Sequence, residues 1–185
     1  MQVAIPFPNE GNTVSRYYLT EGTGNGYWNT SYKWLKHVKE MHTFAVAENQ
    51  KNYQAIAMVL NAFIYANLTD AFGDIPFSEA LKLEENMTKP KFDSQKDIYV
   101  TLLDDLKAAN AIFDTTKPLT ETDLFFHGEA SAANMVKWKK FTNSLSLRLL
   151  NRIQKRNGEV NVYARIQEIV NDPATYPIFQ NNADG

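Results

Sequence analysis

The chain has 185 residues, 44% of them hydrophobic and 12% aromatic, enough for one packed domain or for part of a larger protein. Basic and acidic residues (19 and 21) are interleaved to a formal charge of −2, which leaves no basic footprint of a nucleic-acid binder. The absence of cysteine excludes disulfides, thiolate metal sites and cysteine nucleophiles together, and any lipid-anchoring cysteine would have to lie outside this sequence.

Residues 1–26 are rich in Pro, Gly, Asn and Thr and read as an irregular lead-in. The opening MQVAIPFPNEG has neither the charged n-region nor the long apolar h-region of a signal peptide. From about Tyr27 the pattern becomes helical. Tyr27, Trp28, Tyr32, Leu35, Val38, Met41, Phe44 and Ala45 recur at spacings of three and four, as one buried face requires.

A second helix is predicted over Lys51–Phe72, apolar on more than one side and therefore central in the packing. No 18-residue apolar run is seen, so no membrane-spanning helix is expected. Polar turns follow to Pro90. Ser94-Gln95-Lys96-Asp97 then has the form of a capping box and opens a helix predicted over Ser94–Phe113, with Ile98, Leu102, Leu106, Ala109 and Phe113 inward. A Thr-rich loop over 114–133 precedes a long helix over Asn134–Arg156, with Trp138, Phe141, Leu145, Leu149 and Ile153 as its core side. Asn157-Gly158 reads as its stop. A short helix near Val162–Val170 and a polar tail complete an all-α reading. Helical pairs at roughly forty-residue spacing suggest a helical repeat without a strict consensus.

Few residues carry chemistry. Asp70 and Asp74 could be a carboxylate pair, but Gly73 and Pro76 make LTDAFGDIPFSEAL a helix stop. The stretch reads as a structural corner in which Asp74 bonds local backbone amides. His37 and His42 are five apart, His127 stands alone in a loop, and no HExxH is present, so no metal site is expected. The run Gly22-Thr23-Gly24-Asn25-Gly26 fits neither GxGxxG nor GxxxxGK[ST] and reads as a flexible loop. No cofactor fingerprint and no nucleophile–base pairing is visible. Aromatics do flank that loop: Tyr17 and Tyr18 before it, Tyr27 and Trp28 after it. Flat rings with a nearby amide suit the apolar faces and hydroxyls of sugars, which makes Tyr18, Asn25, Tyr27 and Trp28 the candidate ligand residues. For Trp28 a second reading stands beside this one, as an anchor of the first helix in the core.

Four stretches carry a family resemblance, in order: ANLTDAFGDIPFSEAL, KPKFDSQKDIYVTLLDDLKAANAIF, TDLFFHGEA and VKWKKFTNSLSLRLLNRI. Together they resemble the SusD/RagB family of nutrient-binding lipoproteins, with Gly73, Asp74 and Pro76 in the family's corner motif. The resemblance implies tetratricopeptide-like helical hairpins, a place on the bacterial outer-membrane surface through a lipid anchor, and a non-catalytic role. It implies binding of glycans or other nutrients and delivery to a SusC-like TonB-dependent transporter. It also implies that residues 1–185 form a single helical domain, the N-terminal part of a longer protein. The alternative expectation is a helical-repeat module whose main partner is a peptide or the transporter itself.

Overall fold

The computed structural model describes residues 19–126 and 131–184; Tyr18, His127 and Gly128 lie outside them. Among the described residues six α-helices follow in chain order: α1 (Asn25–Ala47), α2 (Lys51–Phe72), α3 (Gln95–Ile112), α4 (Ala132–Arg152), α5 (Asn157–Val160) and α6 (Val162–Asn171). The reading as an all-α protein holds.

α1 and α2 form a hairpin whose tight turn uses Asn49 in the left-handed region (φ 53°). α2 is the central helix, packed against α1, α3 and α4. Its buried alanines, Ala55, Ala57, Ala62 and Ala66, let neighbouring backbones approach closely. By length and composition α2 is apolar enough to cross a bilayer, contrary to the sequence expectation, but half of that stretch is buried inside the fold. α3 begins where expected. Ser94 Oγ accepts from the Asp97 amide (3.1 Å) and donates to the Asp97 carboxylate (2.7 Å). Its predicted stripe is buried throughout.

α1 departs from its predicted stripe. Leu35 and Ala45 are buried, but Tyr27 and Phe44 are 43% and 70% exposed. α1 packs chiefly on one neighbour, α2, so only a narrow stripe is covered.

α4 also differs from expectation. It ends at Arg152, is followed by a 3₁₀ turn (Gln154–Arg156), and Asn157-Gly158 opens α5 instead of stopping α4. The left-handed residue is Asn161 (φ 52°), flanked by Val160 and Val162, and burial of both valines draws the chain down at that point. The unforeseen strands β1 (Ile75–Pro76) and β2 (Phe92–Asp93) pair antiparallel, Ile75 opposite Asp93 and Pro76 opposite Phe92. Two residues are too few to leave an alternation in sequence.

The segment after α6 folds back across α3 and α4 through two buried amides. Asn143 donates to Asn110 Oδ1 and to the Pro177 carbonyl (both 2.9 Å), and Asn110 donates to the Thr175 carbonyl (3.2 Å). Satisfied in this way, buried amides stabilise; left alone they would be costly.

Candidate functional site

The corner is built by long-range hydrogen bonds. Gly73 takes φ 76°, ψ −126°, a conformation other residues rarely adopt, and closes α2 with its amide on the Thr69 carbonyl (2.8 Å). The Thr69 hydroxyl donates to the Gly73 carbonyl (2.6 Å). Asp74 does not clamp local amides as expected: its Oδ1 accepts from the Gln95 amide at the first turn of α3 (2.9 Å). Gln95 in turn donates its side-chain amide to the Thr69 carbonyl (2.8 Å), so the end of α2 and the start of α3 hold each other. A carboxylate at a helix N-terminus is also favoured by the helix dipole.

The corner's amides are clamped instead by Asp93, from across the β1–β2 pair. Its carboxylate accepts from the Phe77 amide (3.2 Å), the Ser78 amide (2.7 Å) and the Ser78 hydroxyl (2.9 Å), with Lys91 nearby. Partial burial works against its ionisation, but these bonds outweigh it and hold the carboxyl below its ordinary value. The Pro76 carbonyl accepts from the Tyr32 hydroxyl of α1 (2.7 Å), tying the corner to the first helix.

Asp70 and Asp74 face different partners. Asp70 accepts from the Tyr99 hydroxyl (2.6 Å) and pairs with Arg152 (2.9 Å), joining α2, α3 and α4. Burial, with the bond to Asp70 second, pushes the Tyr99 hydroxyl up beyond its ordinary range. The two carboxylates therefore do not converge on a common space. Among the described residues no group of three metal-ligating side chains occurs; His37 contacts only Glu40 (3.4 Å) on the surface.

The predicted aromatic loop turns out to be the first turn of α1. Gly24 precedes it with φ 94°, which favours glycine, and a Cβ there would lie 3.0 Å from the Phe72 ring, a tight contact. Asn25 is the first residue of the helix, not a pliable loop amide. Tyr27 stacks on Phe72 at 6.1 Å, and Trp28 meets Phe72 edge-on at 5.1 Å and lies parallel to Phe92 at 6.4 Å. Trp28 is half-buried at the centre of this group, while Phe72 and Phe92 are 36% and 63% exposed. The reading of Trp28 as an anchor of the first helix is thus met in part. Sequence reasoning missed Phe72 and Phe92: Phe92 reaches the group only through the β1–β2 pairing, for which no local signal exists.

The third stretch, TDLFFHGEA, is also structural where described. Buried Asp123 accepts from the Phe125 and Phe126 amides and from the Trp138 indole (2.8 Å).

A family model described as "starch-binding, associating with outer membrane" matches residues 1–185. The chain belongs to the SusD-like family. A SusD homologue of Bacteroides fragilis is 28% identical over 91% of this chain, with a TM-score of 0.71, and the match covers 34% of that structure. A second SusD homologue of the same organism is 27% identical over 84% of this chain and 32% of its own, with a TM-score of 0.70. A structure from Bacteroides vulgatus, described as an outer membrane protein with a suggested role in nutrient binding, is similar at 27% identity. That match covers 91% of this chain and 34% of the other, with a TM-score of 0.73. No curated protein sequence matches. The SusD-like chain spans about a third of the length of these structures. Its tetratricopeptide-like hairpins, α1–α2 and α3–α4, are the family fold that the four stretches implied.

Proposed function

We propose that this SusD-like chain is the helical portion of a longer, non-catalytic surface protein that binds glycans or related nutrients. It would be held at the outer membrane by a lipid anchor and hand its ligand to a SusC-like TonB-dependent transporter. The observation that carries this reading is the family match across all 185 residues. Within the described residues, the surface best suited to a sugar is the exposed group of Tyr27, Phe72 and Phe92 around Trp28. Such rings supply flat apolar area for a pyranose face at little conformational cost. Asn25, the first residue of α1, and Tyr18 belong to the proposed set as an amide and a further ring.

Isothermal titration of the chain against a panel of soluble polysaccharides tests this. Saturable binding to one of them is expected, weakened by Tyr27→Ala and by Phe92→Ala. Unchanged binding in both variants would move the site elsewhere, and no binding to any polysaccharide would count against a sugar ligand. The second reading, a module devoted to the transporter, is favoured by the exposed apolar side chains Trp34 and Phe44 of α1, 54% and 70% accessible. Recovery of the purified transporter in a pull-down, lost in Phe44→Glu, would prefer it.

A further inference from the structure

α1 and α3 each pack on α2, and between them lies a groove of about 310 Å³. Lys39 and His42 of α1 line one wall, Met58 and Asn61 of α2 the floor, and Asp105 of α3 the other wall. Elsewhere in the bundle the buried polar side chains are engaged, with the Ser31 hydroxyl of α1 the exception among the described residues. Asn52, Asn67, Asn110 and Asn143 all donate to protein oxygens, and Asp70 takes both Tyr99 and Arg152. In the groove, His42, Asn61 and Asp105 form no hydrogen bond or ion pair with another described residue. Three helices thus contribute an imidazole, an amide and a carboxylate to one open space, and their bonding capacity is left for an occupant.

The chemistry of the walls is asymmetric. The α3 side carries the Asp105 carboxylate; on the α1 side Lys39 lines the wall while its ammonium is held by the Leu81 carbonyl, outside the groove, which leaves His42 as the donor facing Asp105. Ala57 and Met58 make the floor apolar, and no aromatic ring lines the groove for a pyranose to stack on. A carboxylate on one wall and an imidazole on the other, with the apolar area of Ala57 and Met58 between them, match a ligand with an ammonium at one end and a carboxylate at the other. We propose that this groove binds a zwitterion, a free amino acid or a short peptide, through its ammonium on Asp105 and its carboxylate on His42. Burial, with Asp104 alongside, already holds the Asp105 carboxyl above its ordinary value, and a bound ammonium relieves that cost. The site is separate from the aromatic surface and stands whether or not that surface takes a sugar.

The test is titration calorimetry of the chain with the dipeptide alanyl-leucine and its N-acetyl derivative, on wild type and on Asp105→Asn and Met58→Trp. Thermal melts check that the variants fold. Loss of one charge-assisted hydrogen bond predicts about tenfold or greater weakening on N-acetylation and in Asp105→Asn. Met58→Trp fills the floor and should abolish binding, whereas Tyr27→Ala should leave it intact. The proposal is overturned if the dipeptide does not bind, if the acetylated form binds equally well, or if binding survives both groove variants.

Discussion

Asp93 and Asp105 are both only partly accessible, both beside α2, and opposite in physical state. At the corner, Asp93 accepts from two backbone amides and a hydroxyl, and these bonds lower its pKa despite burial. In the groove, Asp105 meets no donor among the described residues, and burial raises its pKa. The corner is a place where polar groups are engaged in holding the chain; the groove is a place where they are left over. A motif that marks a family need not mark a ligand site, because the groups that make a corner specific are the ones the fold has already engaged.

The difference can be broken most severely at the corner. Asp93→Ala leaves the Phe77 and Ser78 amides without their acceptor and should cost about 3 kcal/mol, read as a lower urea midpoint with an unchanged m-value. Gly73→Ala should cost about 2 kcal/mol, because φ 76° with ψ −126° strains any side-chain-bearing residue although the space is open. Gly158→Ala, inside α5 with open space around it, is the control and should be neutral or stabilising by about 0.5 kcal/mol.

The pH dependence separates the two aspartates by sign. Asp93 has a folded pKa below the ordinary 3.8, so its contribution is present above that pH and is lost as pH falls through its lowered folded value. Asp105 has a folded pKa above 3.8, so its charge weakens the fold at neutral pH and the penalty disappears as pH falls through its raised value. Urea midpoints measured from neutral to acid pH should therefore fall less steeply in Asp93→Asn than in wild type, and more steeply in Asp105→Asn. The smallest effect sharpens the contrast most. At neutral pH Asp105→Asn should melt at or slightly above wild type, within about 0.5 kcal/mol, since solvent screens a partly exposed charge. A clear loss of stability there would mean that the groove carboxylate holds the fold after all.

Local signals were legible where they repeat or cap. The bounds of α2 and α3 follow from apolar periodicity, the Ser94 cap and the Gly73 stop, all within one or two turns of the residues concerned. The end of α4 was not legible, because Asn157-Gly158 looks like a stop while the burial of Val160 and Val162 sets the actual path. Tyr27 and Trp28 were legible as aromatics at the start of the first helix, but their partners Phe72 and Phe92 were not, since chain pairing elsewhere brings these rings together. Asp74 was recognised as structural, with the wrong partner, for the same reason.

By itself the sequence determined the all-α class, the family, and the bounds of α2 and α3, because caps, turns and a 3.6-residue period are properties of neighbouring residues. Only the tertiary structure decided which polar side chains are engaged and which remain free for a ligand. That distinction rests on partners far apart in the chain: Asp93 with Ser78, Asp70 with Arg152, and His42, Asn61 and Asp105 facing one groove.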